Sequence, residues 1–210
     1  MKSLDEHYTL SQTTEGDIEE HIETLYEYAK KCDSVLELGV RSCVSSWAFV
    51  KGLRDNGAAI HGAVKRRLLC NDIQYHHTIA ELERIATETA VDFEFVEKND
   101  LSMDLNGEEF DMTFIDTWHI YGQLKRELKK FAPSTRKYII MHDTEVDRVH
   151  GESLRCGWDT AQQARETNIP EAEIRKGLEP AITEFLEEHP EWVIELIKTN
   201  NNGLTVLVRR

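Results

Sequence analysis

The sequence predicts an α/β fold: a three-layer α/β/α sandwich around a mostly parallel, seven-stranded sheet that ends in an antiparallel hairpin. Three observations carry this reading. Short apolar runs rich in strand formers alternate with segments of helical spacing along the chain. The stretch over 110–144, FDMTFIDTWHIYGQLKRELKKFAPSTRKYIIMHDT, reads strand, loop, helix, strand, loop. Near-continuous apolar strands joined by one helix imply a parallel pair with a right-handed crossover. Near the end, the runs over 192–198 and 204–208 flank Thr199-Asn200-Asn201-Asn202-Gly203, a turn that makes them a hairpin.

Taken in order, residues 1–14 are polar and read as loosely held. A helix is expected over 17–31, with Ile18, Ile22, Leu25, Tyr26 and Ala29 as its apolar stripe. Residues 34–39 (SVLELG) form a short buried strand ending in glycine, and a helix follows over 47–53, broken near Asp55-Asn56-Gly57. The next strand covers 67–72, an amphipathic helix covers 78–89, and 91–96 alternates as a strand should before Lys98-Asn99-Asp100 turns the chain. The strand over 110–115 leads into a helix over 121–131 that Pro133 stops, and a second buried strand covers 138–141. Residues 144–169 have weak periodicity, and so long a connection in a compact domain is usually functional, often a lid. One helix is expected over 171–188, with Ile174, Leu178, Ile182 and Leu186 on its buried face. The division read from this is an N-terminal helical extension over 1–32 and a main domain over 33–210.

Composition narrows the function. The 210 residues carry a formal net charge of −14, which argues against a nucleic-acid partner, since phosphate backbones need clustered Lys and Arg. Apolar runs fall short of the roughly 18 residues of a membrane span, and the first residues, MKSLDEHYTL, lack the apolar core of a signal peptide. The expectation is a soluble cytoplasmic protein with no membrane partner. Cys32, Cys43, Cys70 and Cys156 have no paired spacing and read as buried, reduced thiols. A homo-oligomer is left open.

Two places carry chemistry. The carboxyl ends of the strands over 110–115 and 138–141 lie on one sheet edge, where open α/β sheets bind ligands, and they deliver Asp116, His119, His142 and Asp143 together. At the first strand-to-helix turn, Glu37-Leu38-Gly39 is followed by Val40-Arg41-Ser42-Cys43-Val44-Ser45-Ser46. Gly39 lets the backbone approach a ligand, and the following helix offers free N–H groups. Asp72 ends the second strand, where a carboxylate can accept both hydroxyls of a ribose, and Asp100 follows the third, within reach of an adenine amino group.

In this order and spacing the sequence resembles the class I S-adenosylmethionine-dependent methyltransferases, a Rossmann-like family, over roughly 15–210. Glu37 and Gly39 match its Glu/Asp-x-Gly-x-x-x-Gly motif, while Cys43 stands in place of the last glycine, a substitution costing about 1 kcal/mol if that position needs positive φ. Asp72 and Asp100 fall where the family places its ribose and adenine acceptors. Together with Ser45 and Trp118, a wall of the cofactor or acceptor pocket, they make up the expected cofactor site.

Asp116-Thr117-Trp118-His119 looks like the Asp-His-Trp-Lys stretch of magnesium-dependent, catechol-type O-methyltransferases. The wider setting looks more like the family 24 branch and is similar to macrolide-sugar O-methyltransferases and cephalosporin-hydroxylase-like proteins. The resemblance implies Asp116 and Asp143 as ligands of Mg²⁺ or another divalent cation and His119 as general base. The catechol type puts Asn after the second acid, where this chain has Thr144, and His142 precedes that acid, so the third ligand is left open between His142 and others. The chemistry agrees: a cation lowers the pKa of an acceptor hydroxyl, and an imidazole titrating near neutrality takes its proton. The implied activity is O-methylation of a small hydroxylated acceptor such as a sugar or glycoside. The alternatives are a hydroxylase-like reaction on the same scaffold, or a non-catalytic module that binds the cofactor.

Overall fold

The computed structural model describes residues 2–57 and 65–210. Among them, seven strands form one sheet in the order β3-β2-β1-β4-β5-β7-β6, and the chain divides into two compact units, Met1–Ile115 and Asp116–Arg210.

In the first unit the elements are α1 (Leu4–Thr13), a 3₁₀ turn (Glu19–His21), α2 (Ile22–Ala29), β1 (Ser34–Leu38) and α3 (Val44–Asp55). They continue with β2 (Arg66–Asp72), α4 (Ile79–Glu88), β3 (Val91–Glu97), a 3₁₀ turn (Asp100–Ser102) and β4 (Phe110–Ile115). β1 pairs in parallel with β2 and β4, and β2 in parallel with β3. Every residue of β1 and β4 is buried, which explains why both read as continuous apolar runs rather than as alternation. Phe49 of α3 packs edge-on against Phe114 of β4 with ring centroids 5.3 Å apart.

The N-terminus is not loose. Ser3 and Glu6 form a reciprocal capping box, the Ser3 hydroxyl accepting from the Glu6 N–H and the Glu6 carboxylate accepting from the Ser3 N–H at 2.7 Å. Leu4 and Tyr8, one turn apart, are buried, and the Tyr8 hydroxyl donates to Glu23 at 2.6 Å. That seats a ten-residue helix where the polar composition suggested a tail.

The second unit holds α5 (Tyr121–Phe131), β5 (Thr135–His142), α6 (Glu152–Arg155), α7 (Thr160–Thr167), α8 (Glu171–Ile174), α9 (Glu179–Glu188), β6 (Trp192–Lys198) and β7 (Leu204–Arg209). β7 pairs antiparallel with both β5 and β6, as the closing hairpin requires. Asn201, Asn202 and Gly203 turn it with φ of 45, 67 and 97°. The weakly periodic stretch is partly helical, through α6 and α7.

The single helix expected over 171–188 is instead two, α8 and α9. The break has a tertiary cause beside the local one of Pro180. Gly177 donates to the Val149 carbonyl at 3.0 Å and Leu178 to the Asp147 carbonyl at 2.9 Å, and a Cβ on Gly177 would stand 2.2 Å from the Asp147 oxygen. Pro180 then starts α9, at a position where a missing N–H costs nothing. Of the expected buried face, Ile174, Leu178 and Ile182 are buried while Leu186 is only half-buried. Cys32, Cys43 and Cys70 are buried free thiols, but Cys156 is exposed, contrary to expectation, because it follows the four-residue α6 in an exposed turn. No helix among the described residues is long and apolar enough to cross a membrane.

Candidate functional site

In the first unit the turn after β1 is a left-handed cradle. Gly39, Arg41 and Cys43 have φ of 83, 46 and 67°. Cys43 therefore takes the conformation its glycine-like position demands, and its Cβ is tolerated rather than avoided. Burial pushes its thiol up to about 12, and Sγ lies 3.2 Å from the Thr78 hydroxyl. Asp72, ending β2, holds this turn: its Oδ2 accepts from the Val40 N–H at 2.9 Å and the Arg41 N–H at 2.8 Å, and its Oδ1 from the Gln74 N–H at 3.1 Å.

Glu37 and Ser45 sit deeper. The Glu37 side chain is fully buried and accepts from Ser45 Oγ at 2.5 Å, Ser46 Oγ at 2.7 Å and Cys70 Sγ at 3.0 Å. It fastens the first turn of α3 and the middle of β2 to β1, so it shapes the turn from beneath. Asp100 is buried at the start of the 3₁₀ turn after β3, where the Asn99 side chain accepts from the Leu101 N–H at 2.9 Å.

In the second unit, Asp116 follows β4 and His119 lies three residues on. His142 is the last residue of β5 and Asp143 the next. Consecutive strand residues face opposite sides, so His142 and Asp143 could not share a site in extended backbone. Asp143 breaks the alternation with φ of 56°. Both imidazoles then meet both carboxylates. His119 Nε2 is 3.2 Å from Asp116 Oδ1 and 3.1 Å from Asp143 Oδ2, and His142 Nδ1 is 3.3 Å and 3.0 Å from the same two oxygens. His142 Nε2 donates to the Asn201 carbonyl at 3.2 Å, which fixes that nitrogen as the N–H.

Asp147, absent from the expected site, backs this cluster. It is fully buried, its Oδ2 lies 3.4 Å from His119 Nδ1, and Arg155 holds it in a fork, Nε to Oδ1 at 2.6 Å and a terminal nitrogen to Oδ2 at 2.9 Å. Trp118 turns elsewhere, donating from Nε1 to Ser153 Oγ at 2.9 Å and packing on Ile120, Ile169 and Ile174. Nothing in the pattern around Asp147 announces it; only the fold returns that turn to His119.

The electrostatics follow. Burial works against charge at Asp116, but the hydrogen bonds from His119 and His142 prevail and hold its carboxyl well below the usual range. Burial would lower His119, yet Asp116, Asp147 and Asp143 raise it well above its ordinary value. His142 is likewise pushed up to about 10 by Asp116 and Asp143 against burial. Asp147 is held low, burial being outweighed by His119 and Arg155.

The sign of the pH dependence is fixed by these directions. Stabilisation from Asp116 and Asp147 is present above about pH 4 and lost as pH falls through their folded values. That from His142 is present below about pH 6.5 and lost as pH rises toward 10. Metal-stripped protein is therefore expected to lose stability at both ends, and His142→Asn to remove much of the alkaline limb. Urea midpoints measured from pH 3 to 10 in a chelator check this, and identical alkaline limbs in the two proteins would contradict it.

The donor set suits a divalent cation. The ligand atoms of Asp116, His142 and Asp143 lie within 4.8 Å of one another, as do those of His119, Asp143 and Asp147. His119 Nδ1 is also a buried nitrogen without a hydrogen bond of good geometry.

No protein-family model matches the sequence, and no curated protein matches it. Solved structures do. A methyltransferase of Podospora anserina, bound to S-adenosylhomocysteine, is 16% identical with a TM-score of 0.57, over 100% of this chain and 88% of its own. An O-methyltransferase of Bacillus cereus in complex with S-adenosylhomocysteine is 14% identical with a TM-score of 0.58, over 99% and 90%. The O-methyltransferase TomG of Streptomyces achromogenes, involved in tomaymycin synthesis and solved with S-adenosylmethionine, is 14% identical with a TM-score of 0.53, over 90% and 79%. At such identities the likeness is one of architecture: the chain has the seven-stranded, Rossmann-like fold of the S-adenosylmethionine-dependent methyltransferases.

Proposed function

We propose that the protein is an S-adenosylmethionine-dependent O-methyltransferase. It acts on a small hydroxylated acceptor, a sugar or glycoside hydroxyl, with the help of a divalent cation. The observation that carries this reading is the convergence of Asp116, His119, His142 and Asp143, every imidazole-to-carboxylate contact within 3.3 Å, on a chain with a methyltransferase fold. The cofactor supplies a methyl group on a sulfonium and the cation lowers the pKa of the acceptor hydroxyl. Asp116, Asp143 and His142 would hold the cation, while the Gly39 turn, Asp72 and Asp100 would receive the cofactor's ribose and base. Once both carboxylates are committed to a cation they no longer keep a proton on His119, and its Nε2 can take one from the acceptor. Asp147 keeps the other face of that ring fixed. Cys43, the residue that would favour a non-catalytic module, adopts the left-handed backbone of the glycine it replaces, which supports a working loop.

Calorimetric titration with S-adenosylmethionine and S-adenosylhomocysteine, with and without Mg²⁺, tests the cofactor half. Binding is expected in wild type, weaker by about 1–3 kcal/mol in Asp72→Ala, the scale of lost charge-assisted hydrogen bonds. No binding by the wild type would sink the reading; equal binding by the variant would remove Asp72 from the site.

A further inference from the structure

We propose that the cation belongs to the manganese-to-zinc series and not to the alkaline earths, and that His142 is the residue that selects it. The inference rests on the cation-assisted reading above and concerns which ion that site takes.

Magnesium is a hard ion that takes oxygen ligands, whereas imidazole nitrogen is a ligand of Mn²⁺, Fe²⁺, Co²⁺ and Zn²⁺. Of the three groups within mutual ligand distance here, one is an imidazole. His142 is 2% exposed, and as the last residue of β5 its backbone is pinned by pairing to Leu204 of β7. Its Nδ1 faces Asp143 Oδ2 at 3.0 Å and Asp116 Oδ1 at 3.3 Å. Its Nε2 is committed to the Asn201 carbonyl at 3.2 Å, so Nδ1 is the nitrogen that a cation held by the two carboxylates would meet. An imidazole whose far N–H is tied to a backbone carbonyl, with its near nitrogen among carboxylates, has the outer arrangement of metal-ligating histidines. The left-handed Asp143 puts its carboxylate beside that nitrogen, giving one nitrogen and two carboxylate donors from two strand ends.

His119 is the competing nitrogen, since its Nε2 lies as close to the same oxygens. It sits on a loop rather than in a strand, and its other nitrogen faces the carboxylates of Asp147 at 3.4 Å and Glu152 at 3.8 Å instead of a backbone carbonyl. We therefore place it as the base and His142 as the ligand.

The test uses full-length, metal-stripped protein and needs no turnover. Mn²⁺ and Mg²⁺ are titrated separately by calorimetry, and the Mn²⁺-loaded protein is examined by electron spin-echo envelope modulation for coupling to imidazole ¹⁴N. The expected result is Mn²⁺ affinity about 100-fold or more above that for Mg²⁺, with ¹⁴N modulation present. In His142→Asn the ratio should fall about tenfold and the modulation vanish, while His119→Asn keeps both. Equal affinity for the two ions, or no ¹⁴N modulation, overturns the inference and leaves a cation-assisted enzyme standing. Modulation lost in His119→Asn but kept in His142→Asn overturns it in favour of the other ring. No cation bound while S-adenosylmethionine still binds overturns it together with the metal part of the proposed function, but leaves the methyltransferase.

Discussion

His119→Ala is expected to slow methyl transfer by about 10²–10⁴-fold, the contribution of a positioned general base, with cofactor and cation still bound. The ring touches Asp116 and Asp143 through Nε2 and faces Asp147 through Nδ1, so removing it takes away a proton acceptor without emptying the carboxylate pair. The loss should shrink as pH rises, because hydroxide can take over the proton. Release of S-adenosylhomocysteine measured across a panel of glycosides, from pH 6 to 9, reads both effects. A rate within threefold of wild type would end His119's role as base.

The second large effect is one of stability. Glu37→Ala strips the partner from two hydroxyls and a thiol inside the first unit, at 2.5, 2.7 and 3.0 Å. Each buried donor left unmatched costs about 1–3 kcal/mol, so a loss of about 3 kcal/mol or more is expected. At roughly 2–4 °C per kcal/mol for a chain this size, the melting temperature should drop by about 10 °C. Glu37→Gln keeps an acceptor in place and should lose less. Cofactor affinity should fall along with stability, since the same carboxyl holds the start of α3 under the Gly39 turn. Thermal melts of the three proteins decide it, and a Glu37→Ala melt within 2 °C of wild type would mean the carboxyl contributes little.

What could be read from residues alone depended on how local its cause was. β4 and α5 have the bounds their patterns predict, because a buried apolar run and an uninterrupted helical stripe end at Asp116 and Pro133 for reasons written in the chain. The capping box at Ser3 and Glu6 was equally local, but a polar composition hid it. The break at Gly177 had local signs in Gly177 and Pro180, but Ile174, Leu178 and Ile182 keep helical spacing across it and masked them. The close pass of the Asp147–Arg148 backbone, which no local pattern shows, adds a second bar to a continuous helix. The same holds in the site. Asp116, His119, His142 and Asp143 announce themselves at strand ends, whereas Asp147 and Arg155 lie in a stretch without period and reach His119 only through tertiary folding.

That backbone pass also decides where this chain could be remodelled. Residues 147–151 are laced to 175–178 by Gly151 to Arg175, Gly177 to Val149 and Leu178 to Asp147, with a bridge between His150 and Lys176. An insertion there would pull Asp147 away from His119. Arg155 to Asp159, by contrast, is exposed, and Gly157 turns it with φ of 70° and open space around its Cα. Extra length at that elbow would reach solvent before it reached the site. Related chains would then diverge in length at 156–159 while keeping 147–151 and 175–178 fixed, so the surface there could change without moving Asp147 from His119.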